Sequence, residues 1–314
     1  MTAPPTYRLV GGKIWARKCE LDPVEHCNLS CRACSHLSPI QPRRIVEPDD
    51  VERDLRLLGR HYHARWIRLV GGEPLLHPNL VEVVRAARRS GLGDGVSIVT
   101  NGVLLPGSPD SLWQAVDAIE VSLYPGKSLS EDEQAVCRRR ARAHGVDLRL
   151  VRVSRFRESY SELGTDNTHL TARIYGSCRI AHQWQCHTVA GGHFFKCPPA
   201  YFLPRTLRPG SHDLLADGIR LDRRSTLADE LLAYLNDRRP LRSCANCLGT
   251  AGRPLQHTQV KRAGFRQLQA RPTEELIDPG ELDSDPLWMT RARKAARGLA
   301  VAIFPSFRSG RSHP

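Results

Sequence analysis

Three cysteines stand close together near the start of this chain of 314 residues. They are Cys27, Cys31 and Cys34, spaced Cys-x3-Cys-x2-Cys, and they directly follow a segment that is predicted to be a strand. Three soft thiolates on one loop suit the ligation of an iron–sulfur cluster. A 4Fe-4S cluster has four irons, so three cysteines leave one iron open to another ligand. Zinc is the alternative, and it would need a fourth ligand such as His26 or His36.

The composition excludes several classes of protein. The chain is 40% hydrophobic, 25% charged and 6% aromatic, as in an ordinary folded protein. No apolar run approaches the roughly 20 residues of a membrane-spanning helix, and the first residues lack the pattern of a secretion signal. We therefore expect a cytoplasmic protein without membrane contact, whose ten cysteines serve metal or redox chemistry rather than disulfides.

The formal net charge of +13 raises the question of nucleic-acid binding. Most of the 46 basic residues are arginine, and the basic stretch at 138–157 lacks the interleaved aromatic residues of a base-stacking surface. Charge alone reports electrostatics and not chemistry. We therefore do not expect nucleic acid as the partner, and a zinc-stabilised basic adaptor for nucleic acid is kept as the alternative to an enzyme.

Short apolar runs alternate with amphipathic segments between residue 19 and about 153, which predicts parallel strands joined by helices. The predicted strands are Glu20–Val24, Trp66–Val70, Val96–Thr100, Ile119–Leu123 and Leu148–Val153. This pattern indicates an α/β fold, either a partial barrel or an open doubly wound sheet.

The predicted helices are marked by apolar residues on one face or by a capping box. The residues that carry these signals are Val51, Leu55 and Leu58; Leu80, Val84 and Ala87; Ser130 with Glu133; and Leu227, Leu231 and Leu235.

A second set of cysteines lies in the C-terminal half. Cys186 and Cys197 enclose two strand-like runs about a Gly-Gly pair, a strong signal for a two-residue hairpin turn. That turn would set Cys186 directly opposite Cys197, at about 4.5 to 5.5 Å. Cys244 and Cys247 can supply two further ligands. Tetrahedral zinc and a cross-strand disulfide are the alternatives to an iron–sulfur cluster here.

The first cysteine set resembles the signature of the radical S-adenosylmethionine (radical SAM) superfamily. One departure is Ala33, because an aromatic residue commonly precedes the third cysteine in that family. The resemblance implies a partial, TIM-like (β/α)6 barrel with its site at the carboxyl ends of the strands. It also implies a 4Fe-4S cluster on Cys27, Cys31 and Cys34, with SAM bound at the open iron.

Further residues resemble the family's SAM-binding positions, beginning with a Gly-Gly-Glu-Pro motif after the second strand. The residues that the resemblance assigns to SAM are Gly71, Gly72, Glu73, Pro74, Asn101 and Ser122. In this interpretation the glycines let the backbone approach the ligand, and Glu73 accepts a hydrogen bond from the amino group. The alternatives are an ordinary turn at Asn101 and a satisfied strand residue at Ser122.

The hairpin and the later cysteine pair resemble the twitch domain, an abbreviated relative of the SPASM domain. This resemblance implies one auxiliary 4Fe-4S cluster on Cys186, Cys197, Cys244 and Cys247. Cys178, just before the hairpin, is a ligand in place of one of these, a catalytic thiol that donates a hydrogen atom, or a packing residue.

These signals predict five segments along the chain. They are an N-terminal extension (1–18), the barrel (19–157), final barrel elements or a linker (158–175), the auxiliary-cluster domain (176–250) and a C-terminal extension (251–314). The auxiliary-cluster domain is expected to consist of a hairpin and a helix, and the C-terminal extension to end in a short basic helix after Trp288.

The family resemblance implies reductive cleavage of SAM to a 5′-deoxyadenosyl radical, which abstracts hydrogen and leads to dehydrogenation or epimerisation. Only 26 residues precede Cys27, too few for a peptide-recognition domain. We therefore expect a small carbohydrate-like or aminocyclitol substrate from natural-product biosynthesis, with a ribosomally made peptide second and an RNA base third. A flavodoxin or ferredoxin is the expected electron donor.

Overall fold

The structure, a computed structural model, describes residues 6–282 and 286–287. The helices in this part of the chain are α1 (Pro48–Gly59), α2 (Leu80–Arg89), α3 (Asp110–Ala115), α4 (Glu131–His144), α5 (Thr168–Ser177), α6 (Pro198–Leu207), α7 (Leu227–Asn236) and α8 (Thr273–Leu276). The strands are β1 (Leu9–Val10), β2 (Lys13–Leu21), β3 (Tyr62–Leu69), β4 (Gly93–Thr100), β5 (Ala118–Leu123), β6 (Asp147–Arg152), β7 (Arg155–Arg157), β8 (Thr188–Ala190), β9 (His193–Phe195), β10 (Gly218–Arg220) and β11 (Pro254–Gln256).

Most strands join one mixed sheet in the order β10-β9-β8-β2-β3-β4-β5-β6. The strands from β8 to β6 in this order run parallel, whereas β9 and β10 are antiparallel additions at one edge. Strands β7 and β11 form a separate two-stranded sheet. A helix follows each of β2 to β5, so the α/β prediction is confirmed as a partial, TIM-like barrel.

The main core lies between this sheet and its helices. Val51, Leu55 and Leu58 are at most 2% exposed on α1, as their spacing predicts. On β3, Ile67 and Leu69 join the same core, because alternate residues of a strand face opposite sides of the sheet. The intervening residues therefore face away from the helices.

Two local predictions are confirmed in detail. Ser130 and Glu133 make both hydrogen bonds of a capping box at the start of α4. The Gly-Gly pair turns the β8–β9 hairpin, with Ala190 opposite His193. Signals that depend on neighbouring residues alone thus predict these elements correctly.

The first long strand differs from its prediction at both ends. Strand β2 begins at Lys13 because it pairs with β3 from Ile14 to Leu21. The chain then leaves the sheet at Asp22, and Val24 instead forms an isolated bridge to Ile45. The departure after Leu21 opens the loop that carries the first three cysteines.

The stretch at 158–175, predicted as final barrel elements or a linker, contains most of α5. This helix starts after Asn167, whose side chain accepts a hydrogen bond from the backbone N–H of Leu170. No helix in the described part of the chain is long and apolar enough to cross a membrane. The basic helix predicted after Trp288 lies outside the described residues, and the five segment boundaries stay predictions.

Candidate active site

The first three cysteines lie together on the loop that follows β2, at the carboxyl ends of the parallel strands. The pKa of Cys27 and of Cys31 is raised to about 12, mainly by burial and in smaller part by the neighbouring cysteine thiols. Ala33 adopts a left-handed backbone with a φ of 58°, which curls the chain between Cys31 and Cys34. Such thiols stay protonated until a metal ion takes the place of the proton.

The Gly71–Gly72 turn after β3 lies directly against the backbone of this cysteine loop. A Cβ on Gly71 would stand 2.5 Å from the carbonyl oxygen of Val24, and one on Gly72 would stand 1.9 Å from that of His26. The backbone N–H of Gly72 donates to the Val24 oxygen at 2.8 Å. The glycines therefore admit the backbone of the cysteine loop, a contact that the sequence analysis did not anticipate.

Glu73 is fully buried, and its carboxylate accepts three hydrogen bonds from the chain itself. Oε1 accepts from the Thr100 hydroxyl at 2.7 Å and from the Leu75 backbone at 3.0 Å, and Oε2 accepts from the Asn101 backbone at 2.8 Å. Burial raises the pKa of Glu73, and these donors oppose that shift. The side chain thus ties the end of β3 to the end of β4, while the buried Pro74 begins a 3-10 turn.

Asn101 connects the end of β4 to the cysteine loop. Its Nδ2 donates to Asn28 Oδ1 at 2.7 Å and lies 3.6 Å from Cys27 Sγ, and its Oδ1 accepts from the Val103 backbone at 3.1 Å. Ser122 lies half-buried on β5 beside Tyr124. The structure therefore brings Asn101 into contact with the cysteine loop and sets Ser122 on the neighbouring strand.

A ladder of charged side chains lines the face of the sheet that turns away from the helices. Lys18 pairs with Glu20 at 2.9 Å, and Arg68 lies 3.9 Å from Glu20 and 3.1 Å from Glu120. Arg149 pairs with Glu120 at 3.2 Å and is largely exposed. Positive and negative side chains alternate across the strands on this face. The inner face of the partial barrel is therefore polar and suited to a hydrogen-bonding ligand.

Four other cysteines form a second group beyond the sheet, namely Cys178, Cys197, Cys244 and Cys247. Burial raises the pKa of Cys197 well above its usual range, and the Cys247, Cys178 and Cys244 thiols raise it further. Gly249 lies between two of them, because its N–H donates to Cys247 Sγ at 3.3 Å and a Cβ on it would stand 3.0 Å from Cys178 Sγ.

Cys186 does not lie in that group. Its thiol is beside Glu20 and Lys18 on the inner face of the sheet, and burial raises its pKa to about 12. The predicted register of the hairpin is present, but the ladder stops at Thr188 because Gln185 turns into a left-handed conformation with a φ of 55°. Cys197 leaves the strand as the N-cap of α6. The ladder therefore does not extend to the predicted pair of Cys186 and Cys197, and Cys178 is the cysteine that lies near Cys197, Cys244 and Cys247.

All ten cysteines are free. Within the described residues, no three His, Cys, Asp or Glu side chains converge closely enough to hold one metal ion. Each cysteine ligand of an iron–sulfur cluster binds a different iron, so such ligands lie around the cluster instead of converging on one point. His36, a candidate zinc ligand, has its Nε2 3.6 Å from Asp22 Oδ1.

Part of this chain is similar to known proteins. Residues 21–171 match the model of the Radical SAM superfamily. A GTP 3',8-cyclase of Chlorobaculum tepidum is 42% identical over 99 residues, which cover 31% of this chain and 29% of that protein. A probable GTP 3',8-cyclase of Methanothermobacter marburgensis is 35% identical over 97 residues, covering 31% of each protein. The matched part is thus about a third of the length of these relatives.

Solved structures show weaker likeness. BtrN in complex with AdoMet and 2-DOIA has a TM-score of 0.39 and 12% identity, covering 81% of this chain and 86% of BtrN. Streptococcus suis SuiB bound to S-adenosylmethionine has a TM-score of 0.36 and 13% identity, covering 72% of this chain and 65% of SuiB. The family assignment rests instead on the family model. Residues 21–171 of this chain therefore form a domain of the radical SAM superfamily.

Proposed function

We propose that this protein is a radical SAM enzyme that oxidises a polar small molecule. When bound, the cluster and SAM supply one-electron chemistry, in which SAM is split into methionine and a 5′-deoxyadenosyl radical that takes a hydrogen atom from the substrate. The observation that carries the proposal is the meeting of Cys27, Cys31 and Cys34 on one loop at the carboxyl ends of the parallel strands, where such barrels hold their sites.

We assign SAM to the space bordered by the cysteine loop, the Gly71–Gly72 turn and Asn101. The Glu73 carboxylate already accepts three hydrogen bonds, so its role in our proposal is to fix the turn. The backbone of the turn then remains for the amino group of SAM. Ser122, on the neighbouring strand, is our candidate for contact with the ribose.

The second cysteine group supports an auxiliary 4Fe-4S cluster held by Cys178, Cys197, Cys244 and Cys247. In dehydrogenation the substrate first loses a hydrogen atom. The resulting substrate radical then gives one electron to an acceptor and one proton to solvent. The four thiols provide ligands for such an acceptor. Epimerisation would instead need a hydrogen donor. Cys178, the thiol predicted for that role, lies among the four, whereas Cys186 lies apart from them on the inner face of the sheet. We propose an oxidoreductase rather than an epimerase because the four thiols supply ligands for an electron acceptor.

A polar, carbohydrate-like or aminocyclitol substrate fits the charged ladder of Lys18, Glu20, Arg68 and Glu120 on the inner face of the barrel. Hydroxyl and amino groups can exchange hydrogen bonds with such a surface, whereas an apolar substrate would displace water from it without replacing the water's hydrogen bonds. A ribosomally made peptide is the second candidate, and its side chains would have to meet the same ladder.

The nucleic-acid adaptor is less well supported. Several of the arginines that give the chain its charge are paired with carboxylates, for example Arg239 with Asp237 at 2.7 Å and Arg266 with Glu162 at 2.6 Å. A paired arginine contributes less to a field that attracts phosphate.

We also propose a cytoplasmic location and a flavodoxin or ferredoxin as the electron donor. The ten free cysteines suit a reducing compartment. An acidic electron carrier would be drawn to a chain with a net charge of +13, so raising the salt concentration should slow reduction of the protein.

Anaerobic reconstitution tests the proposed activity. The wild-type protein should hold about eight irons with matching sulfide, and with dithionite and SAM it should release 5′-deoxyadenosine. Cys27→Ala, Cys31→Ala and Cys34→Ala should each abolish this product, whereas Cys137→Ala, in the buried face of α4, should retain it. Two zincs without iron, or product from any of the three variants Cys27→Ala, Cys31→Ala and Cys34→Ala, would reject the proposal.

A matched pair of variants tests the second ligand set. Cys178→Ala should lower the iron content to about four per chain, because one cluster loses a ligand. Cys186→Ala should keep about eight irons. The reverse pattern would return Cys186 to the ligand set and leave Cys178 free.

A further inference from the structure

A segment far along the chain lies across the cysteine loop. Residues 257–262, here called the strap, follow β11 and run antiparallel to this loop. The Arg32 N–H donates to the Thr258 oxygen at 2.9 Å, and the Val260 N–H donates to the Ser30 oxygen at 2.8 Å. The bridge between them pairs Cys31 with Gln259. The strap therefore pairs with the backbone on both sides of the middle cysteine.

The Gln259 side chain is oriented by two contacts of opposite kind. Its Oε1 accepts from the Ser30 N–H at 2.7 Å, and its Nε2 donates to Cys31 Sγ at 3.2 Å. Only an oxygen can accept from a backbone N–H, so the Ser30 contact fixes which end of the amide faces the sulfur. The amide is thus a dedicated hydrogen-bond donor to one cysteine of the candidate cluster site.

Two further contacts hold the strap in place. The His257 ring stacks on Tyr124 with centroids 4.5 Å apart and an interplanar angle of 11°. Arg262 donates to the Cys27 carbonyl oxygen at 2.6 Å. His257 Nε2 also lies 3.4 Å from Gln259 Nε2, within hydrogen-bond distance of the amide. Gln259 is therefore anchored on both sides.

We propose that Gln259 is a positioning residue that sets the reduction potential of the cluster at Cys27, Cys31 and Cys34. Adding an electron to a cluster increases the negative charge on its sulfurs, and a donor directed at one of them stabilises that charge. The amide of Gln259 thereby makes the cluster easier to reduce. This inference rests on the proposed function, since it requires an iron–sulfur cluster on these cysteines.

Redox titration followed by electron paramagnetic resonance tests the inference on the reconstituted full-length protein. The relevant signal is the one that changes when SAM is added, which separates it from any second cluster. Gln259→Leu removes the donor, and Gln259→Glu keeps an acceptor for the Ser30 N–H while removing the donor to sulfur. Gln267→Leu is the control, because Gln267 is exposed outside the strap.

At a fixed ambient potential, Gln259→Leu should lower the ratio of reduced to oxidised cluster by about tenfold, which is about 59 mV for a one-electron couple. Gln259→Glu should lower it at least as far, because it adds a negative charge. Midpoints equal to that of Gln267→Leu in both variants would overturn the inference. A wild-type protein without any SAM-sensitive cluster signal would instead reject the proposed function.

Discussion

Gly72 and His26 meet backbone to backbone, and a Cβ on Gly72 would stand 1.9 Å from the His26 carbonyl oxygen. That oxygen also accepts from the Glu73 N–H at 3.1 Å, so it cannot withdraw without losing a hydrogen bond. The contact locks the Gly-Gly turn to the cysteine loop one residue before Cys27.

Gly72→Ala should therefore destabilise the protein and disturb the cluster site. We expect a loss of about 3 kcal/mol in the free energy of unfolding, at the upper end of overpacking costs, together with a lower iron content after reconstitution. Gly107→Ala is the control, since a Cβ there meets nothing within 4 Å. Urea denaturation and iron analysis measure both effects, and equal values for the two variants would contradict the contact.

Glu73→Gln should weaken the link between the ends of β3 and β4. Three donors converge on the carboxylate, and an amide offers only one oxygen to them. We expect a loss of about 1 to 3 kcal/mol in urea denaturation and weaker SAM binding by calorimetry. Glu82→Gln on the exposed face of α2 should change stability by less than about 0.5 kcal/mol. An unchanged unfolding midpoint for Glu73→Gln would show that these bonds are replaceable.

The pH dependence of stability should report on His187, which is fully buried. Its Nε2 lies 2.7 Å from the Tyr7 hydroxyl and its Nδ1 lies 3.1 Å from the Lys196 oxygen. Burial lowers the pKa of His187 from its usual 6.5 to about 3. Below pH 6.5 this histidine binds a proton in the unfolded chain but not in the folded chain. The contribution of His187 to the free energy of unfolding is therefore complete above pH 6.5 and is lost as the pH falls toward 3.

Each pH unit in this window should cost up to about 1.4 kcal/mol from this residue. The measurement is urea denaturation of the wild type and of His187→Gln across the window. The variant should have a shallower slope, because glutamine does not titrate. Parallel slopes would mean that His187 is protonated in the folded protein as readily as in the unfolded one.

The capping box of α4 gives a prediction confined to the helix end. Ser130→Ala removes the hydroxyl that accepts from the Glu133 N–H, and we expect a loss of about 1 kcal/mol in the free energy of unfolding. Ser130→Gly should cost only a few tenths of a kcal/mol, since glycine is tolerated at an N-cap. A larger loss for glycine than for alanine would argue against capping as the cause.

The sequence predicts well what neighbouring residues determine. The amphipathic face of α1, the capping box of α4 and the turn of the β8–β9 hairpin all follow from short-range patterns. The three cysteines of the first loop are adjacent in sequence, so their proximity in space is also a short-range property. Their role as cluster ligands is a prediction that metal analysis has to test.

Contacts between distant segments were not predictable in the same way. Extending the hairpin register outward to Cys186 assumed that both strands continue, whereas Gln185 turns away and Cys197 caps a helix. The fourth member of the second group, Cys178, enters from the end of α5, a helix that the sequence analysis did not predict. The Gln259 contact with Cys31 joins residues 228 positions apart and has no local signal.

This separation along the chain has a consequence for biogenesis. The cysteine loop is synthesised early, but the strap that contacts it is synthesised only after nearly the whole described chain has been made. Iron–sulfur assembly factors that load the loop during translation would meet an open, unbraced peptide. On the proposed function, a cluster loaded during translation would therefore bind before Gln259 reaches Cys31, and one loaded after release would bind with that contact already formed.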